Sequence, residues 1–351
     1  MSQLRRGLGV GLIGGVLALA LGCKKQEQPS QPSAEPSASA KPAMDSKIAN
    51  AVKAAAQQAQ QAGQGGGQGA DDLPANGLLT AEQADAKAAR GGFNSITLGS
   101  TGSEPRVRLG SAAASALKGK LELAVRTGPR SAMPTVVLDL EGSTKVEAGQ
   151  SPTILKVSKS QLGAEQPGRI PDDVAEAITK LRGSSFSTTL LPTGRGALKF
   201  EAAPTLSHSE YEALLAAAAE TLETVWLSYP SEPVGVGGFW MVRSRETFYQ
   251  GDVLVFRLVK VEGIQGQQAQ LSVATKRYLV GNVLGQMGLP PHTVAQYDGS
   301  GEAKLVVSAG ATLPDQCEIS DSLSAAVALH GNQAQQVPLQ VGLQARFTVA
   351  K

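Results

Sequence analysis

The chain has 351 residues, with 32 Lys and Arg against 30 Asp and Glu, which gives a formal net charge of +2 at pH 7. Arg5 and Arg6, near the start of the chain, account for this excess, so the remainder is formally neutral. Aromatic residues make up only 4%, and no stretch interleaves them with clustered basic residues. This pattern argues against a nucleic-acid partner.

Residues 1–22 have the order of a secretory signal peptide. A basic head at Arg5 and Arg6 precedes an uncharged, mainly apolar stretch over residues 7–22. A membrane-spanning helix needs about 20 apolar residues, and this stretch is shorter and contains several glycines. We therefore predict that residues 1–22 direct secretion and are then removed.

The segment Leu19-Ala20-Leu21-Gly22-Cys23 resembles the lipobox of bacterial lipoproteins. The resemblance implies cleavage before Cys23 and a diacylglycerol on Cys23 Sγ, so that acyl chains such as palmitate anchor the protein in membrane lipid. An ordinary signal peptide followed by a chance cysteine is the alternative. Lys24 replaces the aspartate that favours inner-membrane retention in enteric lipoproteins, so we expect the outer membrane of a Gram-negative cell envelope.

Residues 23–75 are rich in Pro, Ser, Gln, Ala and Gly and contain few large apolar side chains. Such a composition buries too little surface to offset the entropy lost on folding, so we predict a disordered tether attached to the lipid anchor. Residues 76–95 then form a connector with a short helix over 81–89. Thr80 and Gln83 have the spacing of a capping box at the start of that helix.

Apolar and polar residues alternate with a period of two over much of the globular body, residues 96–351. Leu121, Leu123 and Val125, for example, fall on one side of a predicted strand. Turns rich in Gly, Ser and Pro separate such runs at intervals of about 8–12 residues. The body is therefore predicted to be mainly an antiparallel meander.

Two helices interrupt these strands. The first lies in residues 170–183, with Pro171 near its first turn and Gly183 at its end. The second follows a capping box formed by Ser207 and Glu210 and carries a run of alanines. We expect both to pack on one face of the sheet. The predicted fold is α+β, with a mainly antiparallel sheet, either an open meander or a half-barrel, after the disordered tether.

Residues 229–240 contain the pattern P-x-x-P-V-G-V-G-x-x-W, and residues 74–88 read PANGLLTAEQADAKA. Both segments resemble a group of envelope lipoproteins of unknown function from myxobacteria. The resemblance implies a lipoprotein and assigns no site residues. From the residues themselves, Trp240 is either a ligand contact in a loop or the core residue of a structural corner, and the corner is favoured.

The sequence offers few groups for chemistry. His208, His292 and His330 have no spacing that indicates a shared metal ion, so we predict no metal and no cofactor. If Cys23 is lipidated, Cys317 has no cysteine partner, which indicates a buried inert thiol, with a reactive thiol as the alternative.

Two short motifs invite a catalytic or cation-binding interpretation. Ser115 and Lys118 match the S-x-x-K motif of penicillin-binding enzymes, but the partner motifs S-D-N and K-T-G are absent from the chain. Residues 298–302, DGSGE, lack the acid spacing of a calcium loop and are predicted to form a hairpin turn.

Three functions remain open from the sequence. The leading hypothesis is a non-enzymatic, membrane-anchored envelope lipoprotein that displays a β-rich binding or structural domain, with an envelope protein as a candidate partner. The first alternative is a carrier of a lipid or other apolar ligand in a cavity between sheet and helices. The second is a hydrolase, which is disfavoured because the chain lacks the usual catalytic motifs.

Overall fold

The computed structural model describes residues 73–110, 115–128, 131–147, 150–166, 168–191, 194–204, 212–248, 251–286, 289–329 and 332–350. The signal peptide, Cys23 and the tether up to residue 72 lie outside the described residues, as do His208, His330 and the predicted Ser207–Glu210 capping box. The described residues all belong to one compact unit.

Three helices and eighteen strands occur within these ranges. In chain order they are β1 (Leu78–Leu79), α1 (Ala81–Asp85), β2 (Ser95–Ser100), β3 (Arg106–Val107), β4 (Ser115–Thr127), β5 (Ser131–Ala132), β6 (Val136–Thr144), β7 (Ser151–Leu162), α2 (Asp172–Thr179), β8 (Ser185–Leu191), β9 (Gly194–Arg195), β10 (Lys199–Glu201), α3 (Glu212–Val225), β11 (Val234–Gly235), β12 (Phe239–Phe248), β13 (Gly251–Gln265), β14 (Gln268–Val280), β15 (Val283–Gln286), β16 (Leu289–Ser308), β17 (Gln316–Leu329) and β18 (Asn332–Val349).

One 16-stranded sheet has the main order β10-β8-β7-β6-β4-β18-β17-β16-β14-β13-β12-β2. It consists of two meanders, one running from β4 to β10 and the other from β12 to β18, joined by the antiparallel pairing of β18 with β4. All its pairings are antiparallel within the described residues, except that of β1 with β14. The predicted α+β fold with a mainly antiparallel sheet is confirmed.

The alternating pattern of β4 shows why these segments form strands. Leu121, Leu123 and Val125 are buried on the inner face, whereas Lys120 and Arg126 are exposed. Successive side chains of a strand point to opposite faces, so a period of two places the large apolar side chains of β4 in the core.

The sheet nearly closes into a barrel where its two ends approach. The Asn94 amide N–H, just before β2, donates to the Arg195 carbonyl of β9 at 3.0 Å, and the Arg195 amide N–H donates to Asn94 Oδ1 at 2.6 Å. Asn94 Nδ2 also donates to Ser228 Oγ at 2.7 Å. We call this contact between Asn94 and Arg195 the seam.

Helix α3 lies against the inner face and contacts strands of both meanders: β4, β10, β12, β17 and β18. Its residues Leu214, Leu215, Ala218, Leu222 and Val225 are all buried. Helix α2 packs on β7, where Ser160 Oγ donates to the Ile178 carbonyl at 2.7 Å, and belongs to the same core cluster. The two predicted helices therefore share one core.

Helix α1 packs on the opposite face. Ala84 of α1 and Leu79 of β1 lie in a second apolar cluster with Met241, Leu254 and Phe256 of β12 and β13. The predicted capping box of Thr80 and Gln83 is present, but the helix ends at Asp85, four residues before the predicted end.

Residues 298–302 are not the predicted hairpin turn. They lie inside the 20-residue strand β16, which pairs with β14 on one side and β17 on the other. Glycine occurs here because the core needs room. A Cβ at Gly301 would overlap Asp321 Oδ1, and one at Gly299 would come 2.8 Å from the Tyr297 hydroxyl oxygen. Because glycine has no side chain, these two positions leave room for the buried ion pair of Arg277 and Asp321, whose Nη2 and Oδ2 atoms are 2.6 Å apart.

Gly301→Ala is expected to lower the free energy of unfolding by about 3 kcal/mol or more, because the new methyl group displaces Asp321 from Arg277 within the core. Gly342→Ala is the matched control, since a Cβ at this strand position meets nothing within 4 Å. Urea denaturation of both variants measures the difference. Equal stabilities would contradict the steric account of residues 298–302.

Candidate functional site

A cleft of about 410 Å³ opens beside the seam, between α3, the β9–β10 segment and the start of β13. Its apolar lining comes from Ala197, Leu198, Phe200, Ala216 and Ala219. Its charged lining comes from the carboxylates of Glu220, Glu223, Glu246 and Asp252 and the guanidinium groups of Arg90 and Arg245. We call it the seam cleft.

A buried ion-pair network forms the inner wall of the seam cleft. Arg257 of β13 holds Glu246 of β12 with two hydrogen bonds, from Nη1 to Oε1 at 2.5 Å and from Nη2 to Oε2 at 2.8 Å. Ser244 Oγ also donates to Glu246 Oε1 at 2.5 Å. Arg195 Nη2 contacts Glu223 Oε2 and lies 3.5 Å from Glu246 Oε1. The network thus connects β9, α3, β12 and β13.

The backbone at the end of α3 fixes Arg195 in this network. Arg195 Nε donates to the Trp226 carbonyl at 2.8 Å, and Nη2 donates to the Glu223 carbonyl at 3.0 Å. A guanidinium group complements the carbonyls left unsatisfied at a helix C-terminus. Arg195 therefore joins the seam to the end of α3.

The two carboxyls of the network differ in their pKa values. Burial raises the pKa of Glu223 to about 7, against the opposing charge of Arg195, and the charge of Glu246 adds to the increase. Burial also acts to raise the pKa of Glu246, but the charge and hydrogen bonds of Arg257, with help from Arg195 and Ser244, hold it at about 2. Glu246 is thus a fixed anion, whereas Glu223 changes its charge near neutral pH.

The outer rim of the seam cleft is tied to the N-terminal connector. The buried Arg245 side chain donates from Nε to Asp252 Oδ1 at 2.6 Å and from Nη1 to Asp85 Oδ1, at the end of α1, at 2.9 Å. Arg90 Nε lies 3.7 Å from Asp252 Oδ2. The connector that leads to the predicted tether therefore holds one side of the cleft.

Trp240 is wholly buried outside the seam cleft. Its indole N–H donates to the Ser228 carbonyl at 3.0 Å, and its ring centroid lies 6.3 Å from that of Tyr229. A Cβ at Gly235 would overlap the Ser103 carbonyl oxygen, so the preceding turn requires glycine. These contacts are those of a core residue at a structural corner. That Trp240 contacts a ligand stays a prediction.

The other residues singled out from the sequence do not come together in one site, as far as the structure describes them. Cys317 is buried, as predicted, and burial raises the pKa of its thiol. His292 lies in strand β16, opposite Leu284, although its position directly after Pro290 and Pro291 in the sequence predicts a loop. Ser115 and Lys118 are three positions apart on β4, which puts them on opposite faces. Lys118 Nζ faces Glu141 Oε1 at 3.5 Å instead.

The described ranges contain no group of three His, Cys, Asp or Glu side chains that could hold a metal ion. In the same part of the chain, no helix is long and apolar enough to cross a membrane.

The network was missed in the sequence although a signal for it is present. Arg257 is the one charged residue in the otherwise apolar run of residues 253–259. Asp321, which pairs with Arg277 outside this network, stands between Ile319 and Leu323 on the apolar side of an alternating strand. A charged residue on the apolar side of a strand indicates a buried ion pair.

No protein-family model matches the chain, and no curated protein matches it in sequence. Among solved structures, the chain matches the binding domain of botulinum neurotoxin DC in complex with SialylT, with 10% sequence identity and a TM-score of 0.12. The match covers 75% of this chain and 95% of that chain. The described body is a β-rich domain with weak structural similarity to that binding domain. A match at this TM-score supports no conclusion about ligand or partner.

Glu223→Gln is expected to be about as stable as the parent near pH 5 and more stable near pH 8, by at most about 3 kcal/mol. The folded protein retains a proton on Glu223 up to a pKa of about 7, whereas an unperturbed glutamate has a pKa of 4.5. The stability that this carboxyl contributes is therefore present below pH 4.5 and is lost as the pH rises through 7. Urea unfolding at pH 5, 6, 7 and 8 measures the effect.

Glu141→Gln on the exposed face of β6 is the control for this experiment. Glu246 does not interfere, because its lowered pKa makes its contribution present above 4.5 and lost only as the pH falls towards 2. A stability difference between Glu223→Gln and the parent that does not change from pH 5 to 8 would contradict the raised pKa.

Proposed function

We propose that this protein is a non-enzymatic lipoprotein of the bacterial cell envelope, held by lipid on Cys23, whose β-rich body binds a ligand in the seam cleft. The body would stand clear of the membrane on the tether of residues 23–75, at a distance of about 40 Å for a flexible coil of that length. The outer membrane of a Gram-negative bacterium is the proposed location.

The sequence around Cys23 supports the anchor. A basic head, an uncharged apolar stretch and the small residue Gly22 precede Cys23, and a Lys-, Gln- and Pro-containing segment follows it directly. Two or more acyl chains give stable membrane attachment, since each buried methylene contributes about 0.8 kcal/mol.

The seam cleft supports the binding role. Its volume of about 410 Å³ lies within the roughly 300–1,000 Å³ typical of small-molecule sites. Glu223 is kept in its wall at 7% exposure, although burying a carboxyl opposes its ionisation. A carboxyl with a perturbed pKa at the side of a cleft is a common feature of functional sites.

A non-enzymatic role is supported by the positions of the candidate nucleophiles. Cys317 is buried, and burial raises the pKa of its thiol, which disfavours the reactive thiolate. Ser115 faces away from Lys118, so the S-x-x-K pair lacks the geometry of a nucleophile and its base.

The anchor-free chain consists of residues 24–351 exported behind an ordinary cleavable signal peptide. It is expected to move from the membrane fraction to the soluble fraction of the cell envelope, because it lacks the Cys23 thiol that forms the thioether to diacylglycerol. Fractionation and immunoblotting of the native host measure the distribution. The conservative replacement Lys24→Arg in the full chain, next to the modified position, is the control and should remain in the membrane. Retention of the anchor-free chain in the membrane fraction would contradict the lipid anchor.

Native mass spectrometry of the soluble anchor-free chain, purified from its own envelope, separates the proposed function from the apolar-carrier alternative. The apolar lining from Leu198, Phe200 and the α3 alanines is the observation that favours a carrier. We expect an adduct of small-molecule mass, in keeping with the volume of the seam cleft. A lipid-sized adduct released on denaturation would favour the carrier instead.

A further inference from the structure

We propose that the seam cleft selects a small organic ammonium ion with a short apolar tail. This inference rests on the proposed binding role and adds the chemical class of the ligand.

The charge of the lining favours a cation. Four carboxylates and two guanidinium groups face the cleft. The buried Arg245 is held by Asp85 and Asp252, whereas the exposed Arg90 lies 3.7 Å from Asp252 at the outer rim. An anion bound further inside would lie beside the carboxylates of Glu223 and Glu246, and burial would increase the cost of their repulsion.

Glu223 is the carboxylate whose charge is least compensated in this wall. Its Oε2 pairs with Arg195, whereas Glu246 is held by Arg257, Arg195 and Ser244 together. Arg257 gives both of its terminal nitrogens to Glu246. The raised pKa of Glu223 agrees with this incomplete compensation, because it reports that the two nearby arginines do not offset burial. An ammonium group beside Glu223 would add a further positive charge and further N–H donors to this carboxylate.

The apolar lining suits a short aliphatic tail. Ala216 and Ala219 leave the α3 side of the cleft shallow and apolar, and Phe200 of the edge strand β10 is 39% exposed at its border. The face of an exposed aromatic ring also attracts a nearby cation. The volume of about 410 Å³ limits the ligand to a single small molecule.

Isothermal titration calorimetry at pH 7.5 with the soluble anchor-free chain tests the proposal. The probes are n-hexylammonium, 1-hexanol and hexanoate, which share one tail and differ in charge. We expect n-hexylammonium to bind at least tenfold more tightly than 1-hexanol, and hexanoate to bind more weakly than either.

Two variants locate the binding. Glu223→Gln should weaken n-hexylammonium at least tenfold, with the exposed Glu141→Gln as its control. Ala216→Leu should abolish binding because the larger side chain fills the cleft, with Ala175→Leu at a half-buried position of α2 as its control. Circular dichroism of each variant confirms that it is folded.

The outcomes separate this inference from the proposed function. Equal binding of 1-hexanol and n-hexylammonium, abolished by Ala216→Leu, would overturn the ammonium preference and leave a binding cleft. Preferred binding of hexanoate would do the same. Binding of n-hexylammonium that both variants leave unchanged would overturn the location. Failure of all three probes would overturn the inference, whereas the proposed function would fail only if native mass spectrometry also found no adduct.

Discussion

The bidentate hydrogen bond between Arg257 and Glu246 is the interaction around which the interior of the barrel is arranged. It fixes β12 against β13, and through Glu246 it positions Arg195 at the seam. Arg195 in turn binds the carbonyls at the end of α3. The closing edge of the sheet and the helix inside it are therefore connected by one chain of charged groups. Breaking such a buried pair costs about 3–5 kcal/mol, since one charge is left without compensation.

The seam cleft lies where the apolar packing of α3 against the sheet ends and the charged network begins. Most of α3 is packed against the sheet by Leu215, Ala218 and Leu222, whose side chains fill the space between the two meanders. Towards the seam, the alanines at 216 and 219 leave room. Charged side chains resist close apolar packing because they need partners at fixed distances. The same groups that close the sheet thus form the wall of its accessible cavity.

Local sequence patterns predict some elements of this structure correctly and others wrongly. The strand β4 and the Thr80 capping box follow from local rules of alternation and capping, and both are present. Residues 298–302 have the composition of a turn, yet they form the middle of β16 because their glycines make room for Arg277 and Asp321. Here a contact between distant strands outweighs the local preference of these residues for a turn. Such a contact cannot be recognised in a short stretch of sequence.

The sequence by itself determined the order of strands and helices, the mainly antiparallel character of the body and the inward face of each alternating strand, since these depend on side-chain period. Only the tertiary structure decided that β18 pairs with β4 and that the sheet closes at Asn94 and Arg195. It also decided that carboxylates from α3 and β12 share one cleft. These are contacts between residues far apart in the chain, and their energies depend on burial and charge in three dimensions rather than on neighbouring residues.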